Sequence, residues 1–344
     1  MKPIISTTKK VLTVSIAAYN VASTLDEALK PFLNCRNLPD IEVLIINDGS
    51  KDDTANIANT YVEKYPDSFF LINKENGGWG STLNVGIKLG NGKYFKQLDG
   101  DDYYSYENLD EFIDFLKLTD ADLVYTPFVT FEDETGGILQ VKGQYSTIPQ
   151  RKQMKLGEMY DFAPAMHTLT VKMDVLKNNP IYITEHCFYT DVEFVLKACN
   201  FSKTIIFYEF PIYYYRLARS GQSMSIKGVR NHYKDHLKMV YTMLEYERKI
   251  VVNEEIRDIF HLRLSGACEM QYIFFFALQC NGEQKKELIQ FDNILKKQYP
   301  EYYYEIKNKA VRLLRKLDFK GYKIIGYLQT ARDKRKKINV FEGC

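Results

Sequence analysis

The stretch Lys96-Gln97-Leu98-Asp99-Gly100-Asp101-Asp102 sets three carboxylates within four residues, directly after the apolar pair Tyr94-Phe95. Carboxylates this close repel one another. A fold carries that cost most readily when a cation shares it. Hard divalent ions such as Mg²⁺ take oxygen ligands, often one or two carboxylates together with the oxygens of a bound phosphate. The pattern points to a metal–nucleotide site at a strand end, against the plainer alternative of an acidic turn.

The elements around this stretch decide between the two. Val11–Ala18 is a short β-branched run and reads as a buried strand. Ser23-Thr24-Leu25-Asp26 reads as the capped start of a helix that runs to about Leu33. Ile41–Ile46 is a second strand, closed by Asn47-Asp48-Gly49-Ser50, and Ser50–Asp53 repeats the capping pattern before a helix to about Tyr65. Phe69–Ile72 is a third strand. Gly77-Gly78-Trp79-Gly80 is a glycine-rich loop before a helix over Ser81–Leu89, and Lys93–Leu98 is the fourth strand. Strands alternating with helices at short spacing predict a mostly parallel sheet covered on both faces. Ligands bind beyond the carboxyl ends of such strands. Ala18-Tyr19, Asp48–Ser50, the Gly77–Gly80 loop and Asp99–Asp102 all fall there, which favours a binding site over an acidic turn.

Further along, a helix is expected from about Tyr106 to Leu118 and a strand at Ala121–Thr126. A hairpin is expected between Phe128–Phe131 and Gly137–Val141, strands at His167–Met173 and Thr204–Tyr208, and a helix at Asp191–Ala198. Past a boundary near residue 225 helix dominates, over Asn231–Glu247, Asn253–Leu278, Glu283–Lys297 and Ile306–Leu317.

The chain has 344 residues, 45% of them hydrophobic, enough for one large domain with an appendage or for two domains. Its six cysteines form no CxxC pair, which speaks against a zinc site or disulfide framework and fits a reducing cytosol. No secretory signal is read at Met1–Lys10, and the most apolar stretch, Tyr272–Leu278, is far shorter than the ~20 residues of a membrane span. The net charge of +2 hides an asymmetry. Lys307–Lys337 holds twelve Lys and Arg against two Asp, a balance of +10, so the remainder carries −8. Such a basic tail suggests an anionic partner.

Four segments in order resemble the family 2 glycosyltransferases of GT-A fold. They are Val14–Asn20, Ile45–Thr54, Glu75–Gly78 with Asn84-Val85-Gly86 behind it, and Leu98–Asp102. The likeness is dense over residues 11–102 and looser to about Ser225. It implies an α/β GT-A (Rossmann-like) catalytic domain over 1–225, with a nucleotide-binding half (11–102) and an acceptor half (103–225). A helical C-terminal region with a basic tail, 226–344, follows. The resemblance further implies an inverting, Mn²⁺- or Mg²⁺-dependent transfer of a sugar from a nucleotide-sugar, a UDP-sugar being favoured. The acceptor would be a saccharide or lipid-linked saccharide in cell-surface polysaccharide synthesis, such as capsule.

Site roles follow from the same likeness. Asp48 resembles the acid that accepts from the uracil N–H, with Ala18 and Tyr19 flanking the base and Gly78 among the donor-binding residues. Asp99 and Asp101 correspond to the D-x-D pair that faces ribose and metal, Gly100 lets the backbone approach closely, and Asp102 supports them. In many relatives an acid pair supplies the general base. Here Thr190 stands in the first place and Asp191 in the second, so Asp191 is the expected base, with Glu185 and Glu193 as alternatives. Arg216, followed by Gln222-Ser223-Met224-Ser225, resembles a segment that folds over the donor phosphates. Trp79 is read as packing beneath its loop. The rival expectation is a catalytically weak GT-A domain serving as a membrane-peripheral scaffold.

The appendage offers aromatics for a local core or a homodimer face. Residues 311–328 interleave apolar and basic side chains, which predicts a basic surface segment able to rest on an anionic membrane. The expected location is cytoplasmic and peripheral to the inner face of the plasma membrane. Nucleic acid is not expected, since no recognisable binding module accompanies the charge.

Overall fold

The computed structural model describes residues 9–133, 135–159, 161–217, 225–250, 254–278 and 280–335, without the side chains of 329, 330 and 332–335. The expected phosphate-covering residues Gln222–Met224, the N-terminal residues 1–8 and the end of the basic tail lie outside these. The chain divides into two compact units, Met1–Met159 with Pro164–Arg219 and Tyr160–Ala163 with Ser220–Cys344.

The first unit opens with β1 (Lys10–Ala18), α1 (Leu25–Leu33), β2 (Ile41–Asn47), α2 (Thr54–Lys64), β3 (Phe69–Asn73), α3 (Trp79–Leu89) and β4 (Gly92–Asp99). It continues through β5 (Tyr103–Tyr104), α4 (Leu109–Leu118), β6 (Leu123–Tyr125), β7 (Phe128–Glu132), β8 (Ile138–Lys142) and β9 (Met154–Lys155). It closes with β10 (Leu169–Lys172), α5 (Met173–Lys177), α6 (Asp191–Asn200), β11 (Thr204–Phe207) and β12 (Tyr213–Leu217). The main sheet has the order β3-β2-β1-β4-β10-β6-β11-β9. The β1–β2, β2–β3, β1–β4 and β6–β11 pairs are parallel, whereas β10 runs antiparallel between β4 and β6. β2 is buried along its whole length and β1 almost so, as expected for strands covered on both faces, which is why they read as unbroken apolar runs.

Register sets the site. Ala18 pairs with Asn47 and Ala17 with Asp99, so the ends of β1, β2 and β4 reach the same level of one sheet edge. A second sheet, β5-β12-β7-β8, carries the predicted hairpin and a strand the sequence did not reveal, β12.

The two expected capping segments, Ser23–Asp26 and Ser50–Asp53, put their N-cap positions at Thr24 and Asp53, and neither side chain caps its helix. Thr24 precedes α1 without capping it by its side chain; its hydroxyl donates to the Gly100 carbonyl at 2.9 Å. Ser50 Oγ and Asp52 Oδ2 accept from the backbone N–H groups of Asn20 and Ala22, each at 3.0 Å, and Thr54 Oγ1 accepts from Val21 N at 3.0 Å. These side chains clamp the loop after β1, where Asn20 holds a left-handed φ of 53°.

The second unit is helical: α7 (Ile226–Lys249), α8 (Arg257–Ala277), α9 (Gly282–Gln298), α10 (Pro300–Glu305), α11 (Lys309–Lys316) and α12 (Tyr322–Arg335). Its core gathers Phe260, Leu264, Tyr272, Phe274, Phe275, Phe291 and Tyr302, so the aromatics of the appendage form a local core. No described helix is long and apolar enough to cross a membrane, and the described cysteines are free thiols.

Candidate active site

The acidic turn sits at the C-terminal end of β4 and is held from three sides. Gly100 donates its N–H to the Ala17 carbonyl at 3.0 Å, and a Cβ there would stand 2.9 Å from Val21 Cγ2 and 3.0 Å from that same carbonyl. Glycine is required because the turn lies directly on the backbone after β1. From below, Tyr213 donates its hydroxyl to Asp102 Oδ2 at 2.6 Å and accepts from Asp99 N at 3.2 Å. Arg216 donates its backbone N–H to Asp102 Oδ1 at 2.7 Å. From the side, Trp79 Nε1 donates to Asp99 Oδ1 at 2.7 Å. Trp79 thus reaches into the site instead of only packing under its loop.

The electrostatics show how crowded the negative charge is. The Asp99 carboxyl is pushed up to about 7, first by burial, then by the charge of Asp101, and also by that of Asp191. Asp102 is raised well above the usual carboxylate range by burial and by both neighbours, against the opposing bonds from Tyr213 and Arg216. Burial and the combined charges of Asp102, Asp99, Asp101 and Asp191 hold the Tyr215 phenol far above its ordinary value. Asp191, distant in sequence, therefore shares a field with the acidic turn. Among the described residues no three His, Cys, Asp or Glu side chains form a ready-made metal cage.

Asp48 is buried, and its carboxylate organises the glycine loop. Oδ1 accepts from Gly77 N at 2.9 Å and from Lys74 Nζ at 2.6 Å; Oδ2 accepts from Gly78 N at 2.8 Å. Gly78 adopts a left-handed φ of 81° at the start of α3. Lys74 carries no separate signal in the sequence, where it is a lone cation just past β3. Ala18 is fully buried, while Tyr19 beside it is 51% exposed and free to offer a ring face.

The glycine loop also meets the segment that leads to Asp191. His186 N donates to the Gly77 carbonyl at 2.5 Å, and a Cβ on Gly80 would lie 2.3 Å from the Thr184 carbonyl. Asn84 of α3 clasps the same segment, donating to the Ile183 carbonyl and accepting from Ile183 N, both at 2.9 Å. It also donates to Glu185 Oε1 at 3.1 Å. Asp191 then occupies the first turn of α6, where the positive end of the helix favours a carboxylate. Glu193 faces away from solvent: it pairs with Lys197 at 2.6 Å and accepts from Thr184 N at 3.1 Å. That engagement makes it a buried brace for the loop. Thr190 is buried, and its hydroxyl makes no hydrogen bond.

Arg216 is occupied differently from the expected phosphate contact. Its Nε donates to the Asp101 carbonyl at 2.6 Å, its NH1 pairs with Asp133 at 2.6 Å, and its NH2 pairs with Glu27. The guanidinium lies 4.8 Å from the centre of the Phe131 ring. It pins the acidic turn.

Comparison with known proteins agrees with this architecture. Residues 13–176 match the family described as Glycosyl transferase family 2. An uncharacterised glycosyltransferase of Rickettsia prowazekii is 34% identical over 160 residues, 46% of this chain and 47% of that protein. The minor teichoic acid biosynthesis protein GgaB of Bacillus subtilis is 29% identical over 215 residues, 61% of this chain and 23% of its own length. The chain spans about half the length of the first curated relatives it matches. Among solved structures, S. aureus TarS 1–349 in complex with UDP-GlcNAc superposes with a TM-score of 0.64 at 20% identity, covering 95% of this chain and 92% of that one. The mannosyltransferase PcManGT from Pyrobaculum calidifontis, in complex with GDP-Man and Mn²⁺, gives 0.53 at 14% identity over 97% and 91%. At these identities the structural likeness concerns the GT-A architecture. With the four motifs gathered at one sheet edge, residues 13–176 are the part of the chain that matches Glycosyl transferase family 2.

Proposed function

We propose that the protein transfers a sugar, with inversion, from a nucleoside-diphosphate donor to a hydroxyl of a saccharide or lipid-linked saccharide in cell-surface polysaccharide synthesis. The observation that carries this reading is that the ends of β1, β2 and β4 bring Ala18, Asp48 and the Asp99–Asp102 turn to one sheet edge, with Asp191 near enough to help push the Asp99 carboxyl up. Relatives support the setting: one is named for teichoic acid biosynthesis, and two neighbours of the same fold hold UDP-GlcNAc and GDP-Man. A UDP-sugar is the favoured donor.

In this reading the base of the nucleotide lies against the exposed Tyr19 ring, with Ala18 beneath it and Asp48 at its edge. Asp48 also keeps Gly77 and Gly78 in place, so the loop edge of the donor site is preformed. The residues present fit a divalent cation: the Asp101 and Asp99 carboxylates repel one another across Gly100 and would hold such an ion together with a bound phosphate. Such an ion, Mn²⁺ or Mg²⁺, supplies Lewis-acid neutralisation of the leaving diphosphate. Asp191 takes the proton of the acceptor hydroxyl as its oxygen attacks the anomeric carbon from the face opposite the diphosphate. One base and one displacement give inversion.

Asp191→Asn tests this. General-base catalysis contributes about 10²–10⁴-fold, so kcat should fall by that order. Stabilisation by UDP and Mn²⁺ in a thermal-shift assay should persist, because a ligand of the folded state raises the melting temperature. Unchanged turnover refutes the assignment. Thr190 gives the rival reading its one foothold: a buried hydroxyl stands where many relatives place an acid. A scaffold that has lost catalysis would release no sugar from any UDP- or GDP-sugar with Mn²⁺.

A further inference from the structure

α11 and the start of α12 have two apolar faces, and only one is used by the fold. The inner face is spent on the helical unit. Val311, Leu314 and Tyr322 are buried, Tyr322 donates its hydroxyl to the Phe275 carbonyl at 2.6 Å, and Gly326 lies so close to Cys280 that a Cβ there would stand 2.5 Å from its sulfur. Gly326 thus lets α12 seat against the neighbouring chain, and the helix break falls earlier, where Asp318 and Phe319 take left-handed φ values of 47° and 57°.

The outer face is unlike an ordinary solvated surface. Leu313 on α11 and Leu317 just past its end are 47% and 45% exposed; Ile324, Tyr327 and Leu328 on α12 are 69%, 73% and 59% exposed. Positions 309, 312, 313, 316 and 317 follow the i, i+3, i+4 spacing of a single stripe, and it reads Lys, Arg, Leu, Lys, Leu. Lys320 and Lys323 continue the cationic series to α12, and all five cations are exposed. Asp318 is the only acid from 307 to 328. Among the described residues, these outward apolar side chains keep between 45% and 73% of their surface open.

We infer that this stripe is a docking surface for an anionic lipid bilayer. The chemistry matches that partner in both respects. Exposed Leu, Ile and Tyr side chains enter the headgroup boundary, and the lysines and arginine that alternate with them meet the negative surface potential at the same depth. Lys and Arg side chains lay their alkyl stems along the apolar surface while keeping the charge at the interface. A protein partner would be met by apolar area with a polar rim, not by cations threaded through every turn. The inference stands apart from the sugar-transfer reading, since no residue of the stripe belongs to the proposed active site.

The test is co-sedimentation of the full chain with vesicles of phosphatidylcholine alone and of phosphatidylcholine with phosphatidylglycerol. Binding is expected to the anionic vesicles only, and to fall as salt is raised. Each cation near the surface is worth about fivefold in partitioning. The triple variant Lys316→Glu, Lys320→Glu, Lys323→Glu should therefore lose binding by two orders of magnitude or more. A second variant, Leu317→Gln with Tyr327→Gln, should weaken binding while keeping its salt dependence. Both variants should keep the wild-type melting temperature and the wild-type rate on a water-soluble acceptor, which separates failure of this inference from failure of the enzymatic one. Four results overturn it: equal binding to both vesicle types, binding to neither, a stable dimer whose dissociation is driven by Leu317→Gln, or retention of the basic stripe by duplex DNA in place of vesicles.

Discussion

Arg216→Met removes the cation that ties three parts of the first unit to the acidic turn. Arg216 is 5% exposed; in its ion pairs, Glu27 retains 46% and Asp133 32% of side-chain exposure. Stripping the partner from a fully buried pair costs about 3–5 kcal/mol. Water still reaches both carboxylates, which lowers that share to about 1–2 kcal/mol. The Asp101 carbonyl also loses its donor, worth about 1 kcal/mol. A net loss of about 2–3 kcal/mol lowers the melting temperature by roughly 4–12 °C for a unit of this size. The loss should not stop at stability. With its carbonyl released, Asp101 no longer stands pre-aligned for a cation, and the concentration of Mn²⁺ and UDP giving half-maximal stabilisation should rise about tenfold, the equivalent of about 1.4 kcal/mol. Arg216→Lys, which keeps one charge but not the fork, should fall between wild type and Met. Calorimetry with and without UDP and Mn²⁺ reads both quantities. A melting temperature that falls while ligand affinity stays at the wild-type value refutes the coupling to Asp101; no fall at all refutes the network.

Three further perturbations follow from the same geometry. Trp79→Phe keeps the ring and removes the indole N–H that fixes Asp99; UDP binding in the presence of Mn²⁺ should weaken by about 1.5–3 kcal/mol, read by calorimetric titration, and unchanged affinity would show that Trp79 only packs. Glu193→Gln breaks the buried pair with Lys197 and should lower the melting temperature by several degrees while leaving substantial turnover; abolished turnover at unchanged stability would make Glu193 the base in place of Asp191. Lys96 is buried, donates to the carbonyls of His167 and Leu169 at 3.0 and 3.2 Å, and is held by burial down to about 7. In the unfolded chain it keeps its proton to about 10.5, so between pH 7 and 10 the unfolded state binds more protons and stability rises with pH. Denaturant titrations should show wild type gaining one to a few kcal/mol relative to Lys96→Met across that window, and parallel curves would contradict the burial.

Much of the nucleotide half was legible because its signals are local. β1, β2 and β4 are apolar runs closed by polar turns, and a strand buried on both faces needs no partner to be recognised. Where those runs end, Ala18, Asp48 and Asp99 must fall near one sheet edge, since parallel strands joined by helices all finish on the same side. Other features depend on contacts between distant residues. Ser50 and Asp52 carry the composition of helix caps, yet Ser50 Oγ accepts from Asn20 N and Asp52 divides its oxygens between Thr54 N and Ala22 N, because the loop after β1 has backbone donors that also need acceptors. β12 is a run of tyrosines with no alternation to mark it, and it becomes a strand by pairing with β7 and β5. Its register then delivers Tyr213 and Arg216 to the acidic turn, over a hundred residues from it in sequence. The same holds for Trp79, whose single polar atom gave no hint that it would find Asp99.

Everything proposed for the donor side depends on Asp99, Asp101 and a divalent cation binding the diphosphate of a nucleotide-sugar together. The decisive experiment is titration of UDP into wild type and into Asp101→Asn, each with and without Mn²⁺. Wild type should bind UDP tightly only with Mn²⁺, and the variant should lose that dependence on Mn²⁺. UDP affinity that is the same with and without Mn²⁺, or a variant that responds to Mn²⁺ as wild type does, would contradict this assignment.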